Sequence, residues 1–266
     1  VEKPDYVERY ERDREWWEKA VHSPILQQCK DALRLDGPEE DPVRFLDIGA
    51  GPGIALDVAR ERFGWHTFGI EPDKGLCDAL WRRHHSMTYG TLETLPHGPL
   101  CTPFDEHPRV HVLMAYEVLE HQPCPEDFLL RCYDLLEEGG LLACTVPNDY
   151  NPLQLAAQHK LGVPSYWLAP PQHLFYWTPK TLQLCLRRAG FQLVDMRGTF
   201  PIDKFLLQGY NYIGHDDIGR LVHTWRMQDE LHAVTHGQWH QREQEYRYNL
   251  TQRVGREIVA IARKMP

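Results

Sequence analysis

Residues 45–53 read Phe-Leu-Asp-Ile-Gly-Ala-Gly-Pro-Gly, an apolar strand that runs directly into three glycines spaced two residues apart. A second short apolar stretch, 67–70, is followed by Glu71, eighteen positions after Gly53. Glycines let the backbone approach a ligand closely, and a carboxylate at the tip of the next strand accepts hydrogen bonds from ribose hydroxyls. The pattern predicts a strand–turn–helix pocket for an adenine nucleoside.

The spacing of the glycines separates two classes of nucleotide-binding turn. A dinucleotide fingerprint, Gly-x-Gly-x-x-Gly, needs its sixth-position glycine so that the helix packs closely and takes a pyrophosphate at its N-terminus. Here the sixth position is Ile54, and the third glycine comes one residue early. The segment 46–53 instead resembles the first motif of class I S-adenosylmethionine-dependent methyltransferases, whose cofactor carries a sulfonium and an amino acid but no phosphate.

Length and composition favour a soluble enzyme and exclude several other classes of protein. A chain of 266 residues fits one large α/β domain with additions, and its net charge of −9 argues against nucleic acid, which needs clustered Lys and Arg. No apolar stretch approaches the ~20 residues of a membrane span, and the charged N-terminus shows no signal-peptide core. Seven cysteines without a Cys-x-x-Cys pair indicate reduced thiols. We therefore expect a cytoplasmic protein.

Turn residues divide the chain into alternating strand and helix patterns. The run 110–115 suits a buried parallel strand, and Gly64 is placed to end the helix that begins at Ile54. This alternation predicts an α/β fold with a doubly wound, Rossmann-like, seven-stranded and mainly parallel sheet. The predicted strands are 43–48, 66–70, 88–90, 110–115, 141–146, 191–197 and 257–262, and the predicted helices are 5–34, 54–63, 73–85, 125–138 and 178–190, with a loop over 91–108.

Three parts of the chain lie outside this alternation. Residues 1–42 form an N-terminal helical segment, 147–177 a proline- and aromatic-rich excursion, and 200–252 a largely polar, helical insertion. Residues 43–199 and 253–266 then make up the cofactor-binding domain, from which the 147–177 excursion departs. Ligands in open α/β sheets bind at the carboxyl ends of the strands, and both insertions leave from or return near that edge. We expect these insertions to act as lid and substrate wall.

The family resemblance extends beyond the glycine turn, in the family's order, over 43–198 and 254–264. The segments 117–121 (Glu-Val-Leu-Glu-His), 142–148 and 257–264 resemble the family's middle motif, fifth strand and closing strand. Residues 173–179 and 189–191 resemble the ubiquinone-biosynthesis-like branch, which acts on small molecules. The tail over 200–214 is also similar to methyltransferases of surface-polysaccharide or natural-product sugars.

The resemblance implies S-adenosyl-L-methionine as cofactor and assigns its contacts. The backbone of 49–53 contacts the cofactor, Glu71 the ribose, the 90–92 turn the adenine, and Glu117 the methionyl part. Thr91 departs from the acidic residue that is commoner there, which leaves the adenine amino group without a carboxylate partner. The predicted cofactor residues are Asp47, Gly49, Ala50, Gly51, Gly53, Glu71, Pro72, Thr91, Leu92 and Glu117.

Methyl transfer to a hydroxyl needs alignment of nucleophile, methyl and sulfur, and a base with a pKa near neutral. Histidine meets that need, but the chain holds 15, so most are bystanders. The resemblance places His121 and His173 at the cofactor edge, and they are the candidate catalytic residues. For His121, capping of the neighbouring helix is the alternative. The predicted acceptor is a hydroxyl on a sugar or natural product, and nitrogen, carbon and carboxylate acceptors stay open.

Aromatic and polar residues of the two insertions are the candidate substrate contacts: Tyr150, Tyr176, Asp203, Tyr210 and Asn211. Aromatic residues at this density are just as often core, so the pattern is open to that reading as well.

A metal-independent reaction is predicted. His232, His236 and His240 fall four residues apart, a spacing that can hold a metal on one helix face. Gly237 interrupts that helix, however, and no carboxylate completes a ligand set, so a solvated helix face is the better interpretation.

Two other classes of function stay open. A nicotinamide-dependent oxidoreductase or epimerase is opposed by the missing sixth-position glycine and by the Glu-His middle motif. A non-catalytic, cofactor-binding partner subunit is opposed by the intact glycine turn.

Overall fold

The computed structural model describes residues 5–33, 42–94 and 109–265. Within them, seven strands form one sheet in the order β3-β2-β1-β4-β5-β7-β6. Strands β1 to β5 pair in parallel, and β7 runs antiparallel to both β5 and β6. The predicted doubly wound, mainly parallel sheet is confirmed. The strands are β1 Arg44–Ile48, β2 His66–Glu71, β3 Ser86–Tyr89, β4 Val110–Tyr116, β5 Leu136–Pro147, β6 Phe191–Gly198 and β7 Glu257–Lys264.

Helices cover both faces of the sheet and build the additions. They are α1 Asp5–Arg12, α2 Arg14–Trp16, α3 Ser23–Ala32, α4 Ile54–Phe63, α5 Lys74–Arg82, α6 Pro125–Leu135, α7 Pro152–Leu161, α8 Pro179–Arg188, α9 Lys204–Leu207, α10 Asp216–Thr235 and α11 Trp239–Thr251. A π-helical stretch, Trp17–His22, joins α2 to α3, and a 3-10 turn, Leu119–His121, follows β4.

Side chains alternate between the two faces of the central strands. Leu46 and Ile48 of β1 point into a core with α6 and α8, whereas Phe45 points into a second core with α3 and α4. Because strand side chains alternate with period two, burial on both faces makes β1 a continuous buried run. The sheet edge with the carboxyl ends of β1, β2 and β4 is left free for a ligand.

The predicted helix 125–138 is too long. Helix α6 ends at Leu135, and Leu136, which is fully buried, pairs with Val110 as the first residue of β5. The register then shifts, so that Val112 pairs with Leu141. Gly139 and Gly140 lie inside this irregularity and do not end the helix. At Gly140 a Cβ atom would lie 2.8 Å from the carbonyl oxygen of Glu137, so the irregularity itself requires glycine.

The predicted N-terminal helix 5–34 is interrupted. The chain widens into the π-helical stretch before α3, and Pro24 lies in the first turn of α3. Proline has no N–H to donate to the carbonyl four residues earlier, which accounts for the local widening. Residues 1–4 and 34–41 of the N-terminal segment, residues 95–108 of the predicted 91–108 loop, and residue 266 lie outside the described residues.

The other predicted elements match the structure closely. Helix α4 begins at Ile54 and is ended by Gly64 in a left-handed conformation, and Thr178 caps α8 with its side chain. The excursion 147–177 contains α7, and the insertion 200–252 consists mainly of α9, α10 and α11. No helix in 5–33, 42–94 or 109–265 is long and apolar enough to cross a membrane.

Candidate active site

A cavity of about 670 Å³ opens at the carboxyl ends of β1, β2 and β4. Nine of the ten predicted cofactor residues line it: Asp47, Gly49, Ala50, Gly51, Glu71, Pro72, Thr91, Leu92 and Glu117. Residues far apart in the chain therefore meet in one concave site. The tenth residue, Gly53, does not line the cavity.

Gly53 serves packing instead. It caps α4 with φ +76°, and a Cβ atom there would lie 2.1 Å from Cδ2 of Leu80 on α5. The glycine thus lets two helices approach each other behind the turn. Gly49 and Gly51, also at positive φ, form the part of the turn that faces the cavity.

The turn and Glu71 are hydrogen-bonded to each other. The N–H groups of Gly49 and Ala50 donate to the carbonyl oxygen of Ile70, and that of Gly51 donates to Oε2 of Glu71 at 2.8 Å. Oε1 of Glu71 accepts the N–H of Asp73 at 2.8 Å. Burial raises the pKa of Glu71, and these two backbone donors oppose the rise. The carboxylate is therefore fixed in orientation at the tip of β2.

Asp47 forms part of the cavity wall from β1, one position before the strand ends. Burial, and then the neighbouring Glu71, raises the pKa of Asp47 to about 8. Glu117 follows β4 with a left-handed backbone, φ +53°, and its N–H donates to Thr145 at 2.9 Å. Burial, and then Glu257, raises the pKa of Glu117 to about 7. Both carboxyl groups thus hold a proton more tightly than in water.

The two predicted histidines lie side by side. The ring centroids of His121 and His173 are 4.9 Å apart, and His121 lines the cavity. The excursion is held there because the N–H groups of Leu174 and Phe175 donate to the carbonyl oxygen of Glu120. Backbone hydrogen bonds therefore bring the histidine from 147–177 to the one that follows β4.

Glu120 was not predicted as a site residue, but it lies directly beside the histidine pair. Its side chain is fully buried, and neither carboxylate oxygen has a hydrogen-bond partner. Nδ1 of His173 is also buried without a partner. Burial, and then Glu117, raises the pKa of Glu120 to about 8. The sequence did carry a signal for Glu120, because the motif Glu-Val-Leu-Glu-His over 117–121 contains two glutamates and the second directly precedes His121.

Glu120, His121 and His173 have the geometry of a metal-ligand set. One ligand atom from each lies within 4.8 Å of the other two, and this is the one such group found within the described residues. Imidazole nitrogens and a carboxylate suit divalent transition metals. The orphaned oxygens of Glu120 are the observation that fits a cation, because a buried carboxylate without a partner is costly.

The His232–His236–His240 ladder does not form a ligand set. The rings of His232 and His236 stack at 3.9 Å, while Nδ1 of His236 lies 2.9 Å from the carbonyl oxygen of His232. Nε2 of His240 lies 3.0 Å from Gln244. Gly237 separates α10 from α11, as the sequence indicates, so the three rings do not share one helix face.

The predicted substrate residues divide into two groups. Tyr176 lies near the histidine pair, with its ring centred 6.4 Å from His173, and Tyr150 lies behind it at 6.3 Å from Tyr176. Asp203 is buried and accepts the hydroxyls of Tyr166 and Tyr212 at 3.0 and 2.7 Å.

Tyr210 and Asn211 have local roles and do not line the cavity. The Tyr210 ring packs edge-on against Trp225 at 4.9 Å, and Asn211 accepts the N–H of Ile213 at 3.1 Å. Local packing and a turn therefore account for the contacts of both residues, and their role as substrate contacts stays a prediction.

Several residues that line the cavity were not predicted, and three of them supply polar side chains from outside the predicted motifs. Tyr10 and His22 come from the N-terminal segment, and Tyr116 ends β4. The sequence shows an amphipathic pattern in the N-terminal segment, but no motif indicates where its apolar face packs. Only the tertiary structure places this segment over the glycine turn.

Fold and site together define a class I methyltransferase, with a glycine turn after β1, an acid at the end of β2 and an antiparallel β7. The family described as "Methyltransferase domain" matches residues 21–196. The chain belongs to this family, and S-adenosylmethionine is its methyl donor.

Curated relatives align with this chain over about 70% of its length. The ubiquinone biosynthesis O-methyltransferase of Roseobacter denitrificans is 28% identical over 205 residues, which cover 69% of this chain and 80% of that protein. The protein with the same name from Maricaulis maris is 29% identical over 212 residues, covering 71% and 80%.

Solved structures share the fold at low sequence identity. A SAM-dependent methyltransferase from Archaeoglobus fulgidus aligns with a TM-score of 0.56 and 16% identity, covering 98% of this chain and 100% of that chain. The 1,6-didemethyltoxoflavin-N1-methyltransferase of Burkholderia thailandensis, solved with bound 1,6-didemethyltoxoflavin and S-adenosylhomocysteine, aligns with a TM-score of 0.52 and 16% identity, covering 98% of this chain and 86% of that chain.

Proposed function

We propose that this methyltransferase transfers the methyl group of S-adenosylmethionine to a hydroxyl of a small molecule, and that His121 and His173 take up the hydroxyl proton. The observation that carries the proposal is the histidine pair at the cavity described above, which we call the donor cavity because it would hold the methyl donor. His121 lines the donor cavity, and His173 contacts the ring of His121. A hydroxyl acceptor needs such a base, because it must lose its proton as it attacks the sulfonium methyl.

The hydrogen bonds of His121 suit a base. Its Nδ1 lies 2.7 Å from the carbonyl oxygen of Gln172, so Nδ1 carries the proton and Nε2 keeps its lone pair. Nε2 lies 4.0 Å from Oε1 of Glu120, which would stabilise the imidazolium after proton transfer. Burial, and then His121, lowers the pKa of His173, which keeps that imidazole neutral and able to accept a proton.

The names of the curated relatives support oxygen as the acceptor atom, since both are called O-methyltransferases. We infer that the acceptor is a phenolic or sugar hydroxyl. The excursion 147–177 and the insertion 200–252 are proposed to enclose it, with Tyr150, Tyr176 and Asp203 as contacts. Metal-free chemistry and a cytoplasmic location belong to the same proposal.

A metal-assisted form of the same reaction is the second candidate. It is favoured by the unpartnered oxygens of Glu120 and the unpartnered Nδ1 of His173, which lie within ligand distance of one divalent cation. A cation held by Glu120, His121 and His173 would lower the pKa of a hydroxyl bound to it. In that form the histidines bind the ion and do not accept the proton themselves.

Turnover measurements on histidine variants test the proposal. With catechol and methyl α-glucoside as hydroxyl acceptors, His173→Gln should lower turnover by about 10²–10⁴ and leave the affinity for S-adenosylhomocysteine nearly unchanged. His121→Ala should also lower turnover, because His121 lines the cavity with Nε2 free to accept the proton; a mild effect would mean that His121 mainly caps its turn and that His173 is the base. Full activity in both variants would contradict the proposed proton acceptor.

Chelation separates the two candidates. If the enzyme keeps its activity after dialysis against EDTA, the histidines act directly as bases. If activity is lost and returns with Mg²⁺, Mn²⁺ or Zn²⁺, the metal-assisted form is correct. Glu120→Gln is the matched variant, because it removes a metal ligand while the histidine pair stays intact.

A further inference from the structure

One end of the donor cavity is built by the N-terminal segment. Tyr10 of α1 and His22 of the π-helical stretch line the cavity together with Tyr116 of β4. The ring of His22 is centred 5.5 Å from that of Tyr116, so the two form one wall. Neither Tyr10 nor His22 belongs to the strand–helix alternation that supplies the glycine turn and Glu71.

The cavity extends across the sheet edge from one core to the other. Leu92, Phe128 and Val118 at one end belong to the core with α6, whereas Ala50 and the wall of Tyr10 and Tyr116 belong to the core with α3 and α4.

These two ends would set the direction of a bound cofactor. If its ribose binds Glu71 and its adenine lies beside Leu92, as the family resemblance implies, its amino-acid end would extend towards Tyr10, His22 and Tyr116.

The glycine turn offers few donors to that amino-acid end. The N–H groups of Gly49, Ala50 and Gly51 already donate to Ile70 and Glu71. The carboxylate of the methionyl group still needs donors once it leaves water, because an unpaired charge in a buried site is costly. The side chains of His22 and Tyr116, which form the wall of the cavity, are placed to supply these donors.

His22 has the required unused hydrogen-bonding capacity. Its side chain is about 95% buried, and its Nδ1 has no partner. Burial lowers its pKa to about 3, so the ring is neutral and offers one donor and one acceptor. Within the described residues the Tyr116 hydroxyl makes no hydrogen bond either, and it lines the same cavity.

We propose that His22 and Tyr116, with Tyr10 beside them, bind the carboxylate and ammonium groups of S-adenosylmethionine. The N-terminal segment is then part of the cofactor site and forms one of its walls. The proposal rests on the donor assignment, but it does not depend on the identity of the acceptor.

The proposal is tested by measuring, with calorimetry, the affinities of two ligands that differ only in the amino-acid part of the cofactor. S-Adenosylhomocysteine carries the carboxylate and ammonium, whereas 5′-methylthioadenosine lacks both. His22→Ala and Tyr116→Phe should each weaken S-adenosylhomocysteine binding about tenfold or more, the scale of a lost hydrogen bond to a charged group, and change methylthioadenosine affinity less than twofold. His22→Gln keeps a donor and an acceptor and should recover most of the affinity.

Two control variants accompany the test, one expected to weaken both ligands and one expected to weaken neither. Glu71→Ala should weaken both ligands, because both contain the ribose. His223→Ala removes a ring that packs on Trp16 of the same segment without lining the cavity, and it should change neither affinity. Equal weakening of both ligands by His22→Ala and Tyr116→Phe, or no weakening at all, would overturn the proposal. Wild-type protein that fails to bind S-adenosylhomocysteine would overturn the donor assignment instead.

Discussion

At the scale of single residues, Asp47 and Glu71 show how strand ends place carboxyl groups in the cavity. Both are almost fully buried, and both lie at the carboxyl ends of neighbouring parallel strands. Their meeting could be predicted from the sequence because the ends of parallel strands share one sheet edge. Glu71 has two backbone donors, whereas Asp47 faces the cavity and the charge of Glu71.

Glu71→Ala should weaken the binding of S-adenosylhomocysteine by about 1–3 kcal/mol, because it removes the charged acceptor for the ribose hydroxyls. Isothermal titration at pH 7.5 measures the change. Glu61→Ala is a matched control, since Glu61 is an exposed glutamate on α4. Unchanged affinity in the Glu71 variant would show that the ribose lies elsewhere.

The raised pKa of Asp47 predicts a pH-dependent stability. Its folded-state pKa of about 8 lies above the unfolded value, so the folded state holds the proton more tightly and its stability falls as pH rises towards 8. Asp47→Asn removes this loss. Above pH 8, urea unfolding of the ligand-free variant should give a free energy of unfolding several kcal/mol higher than that of the wild type, since a pKa difference of one is worth about 1.4 kcal/mol. The difference should shrink steadily towards pH 5; a constant difference would contradict the assigned shift.

At the scale of elements, Gly53 caps the start of α4 and Gly64 caps its end, in the same left-handed conformation but in different surroundings. A Cβ atom on Gly53 would overlap Leu80, whereas one on Gly64 would meet nothing within 4 Å. The sequence shows two glycines flanking α4 and cannot distinguish these roles. The packing of α5 against the turn decides between them.

Gly64→Ala should cost about 1–2 kcal/mol of stability, the strain of a left-handed alanine. Gly53→Ala should cost about 1–3 kcal/mol more, because it also forces α5 away from the turn. Chemical denaturation measures both values. Leu80→Ala in the Gly53→Ala background should recover part of the extra loss, and equal costs for the two glycine variants would refute the crowding.

At the scale of the whole molecule, a buried network joins the N-terminal segment to the insertion. Glu230 of α10 accepts Nε1 of Trp16 at 2.9 Å and the hydroxyl of Tyr246 at 2.7 Å, and it also binds Arg226. The segment that covers the donor cavity is thus fixed to α10 and α11. We expect the two additions to open and close together.

Glu230→Ala should destabilise this cap by about 3–5 kcal/mol, because it leaves the buried donors of Trp16 and Tyr246 unpaired and leaves the buried Arg226 with Glu257 as its remaining carboxylate partner. Hydrogen exchange should then accelerate together in residues 5–33 and in α10 and α11, while the strands stay protected. Glu245→Ala, which removes an exposed partner of Arg242, should change nothing. Faster exchange confined to α10 and α11 would show that the two additions are independent.

The sequence alone determined the sheet, most helices, the glycine turn and Glu71, because local periodicity and turn residues encode elements and their order. It misplaced the end of α6, because the pairing of Leu136 with Val110, distant in sequence, outweighed the local helical pattern. Only the tertiary structure brought Tyr10 and His22 over the cavity, set Glu120 beside the histidine pair, and left Tyr210 outside. Such contacts join residues far apart in the chain, and they are fixed by packing and burial rather than by any local pattern.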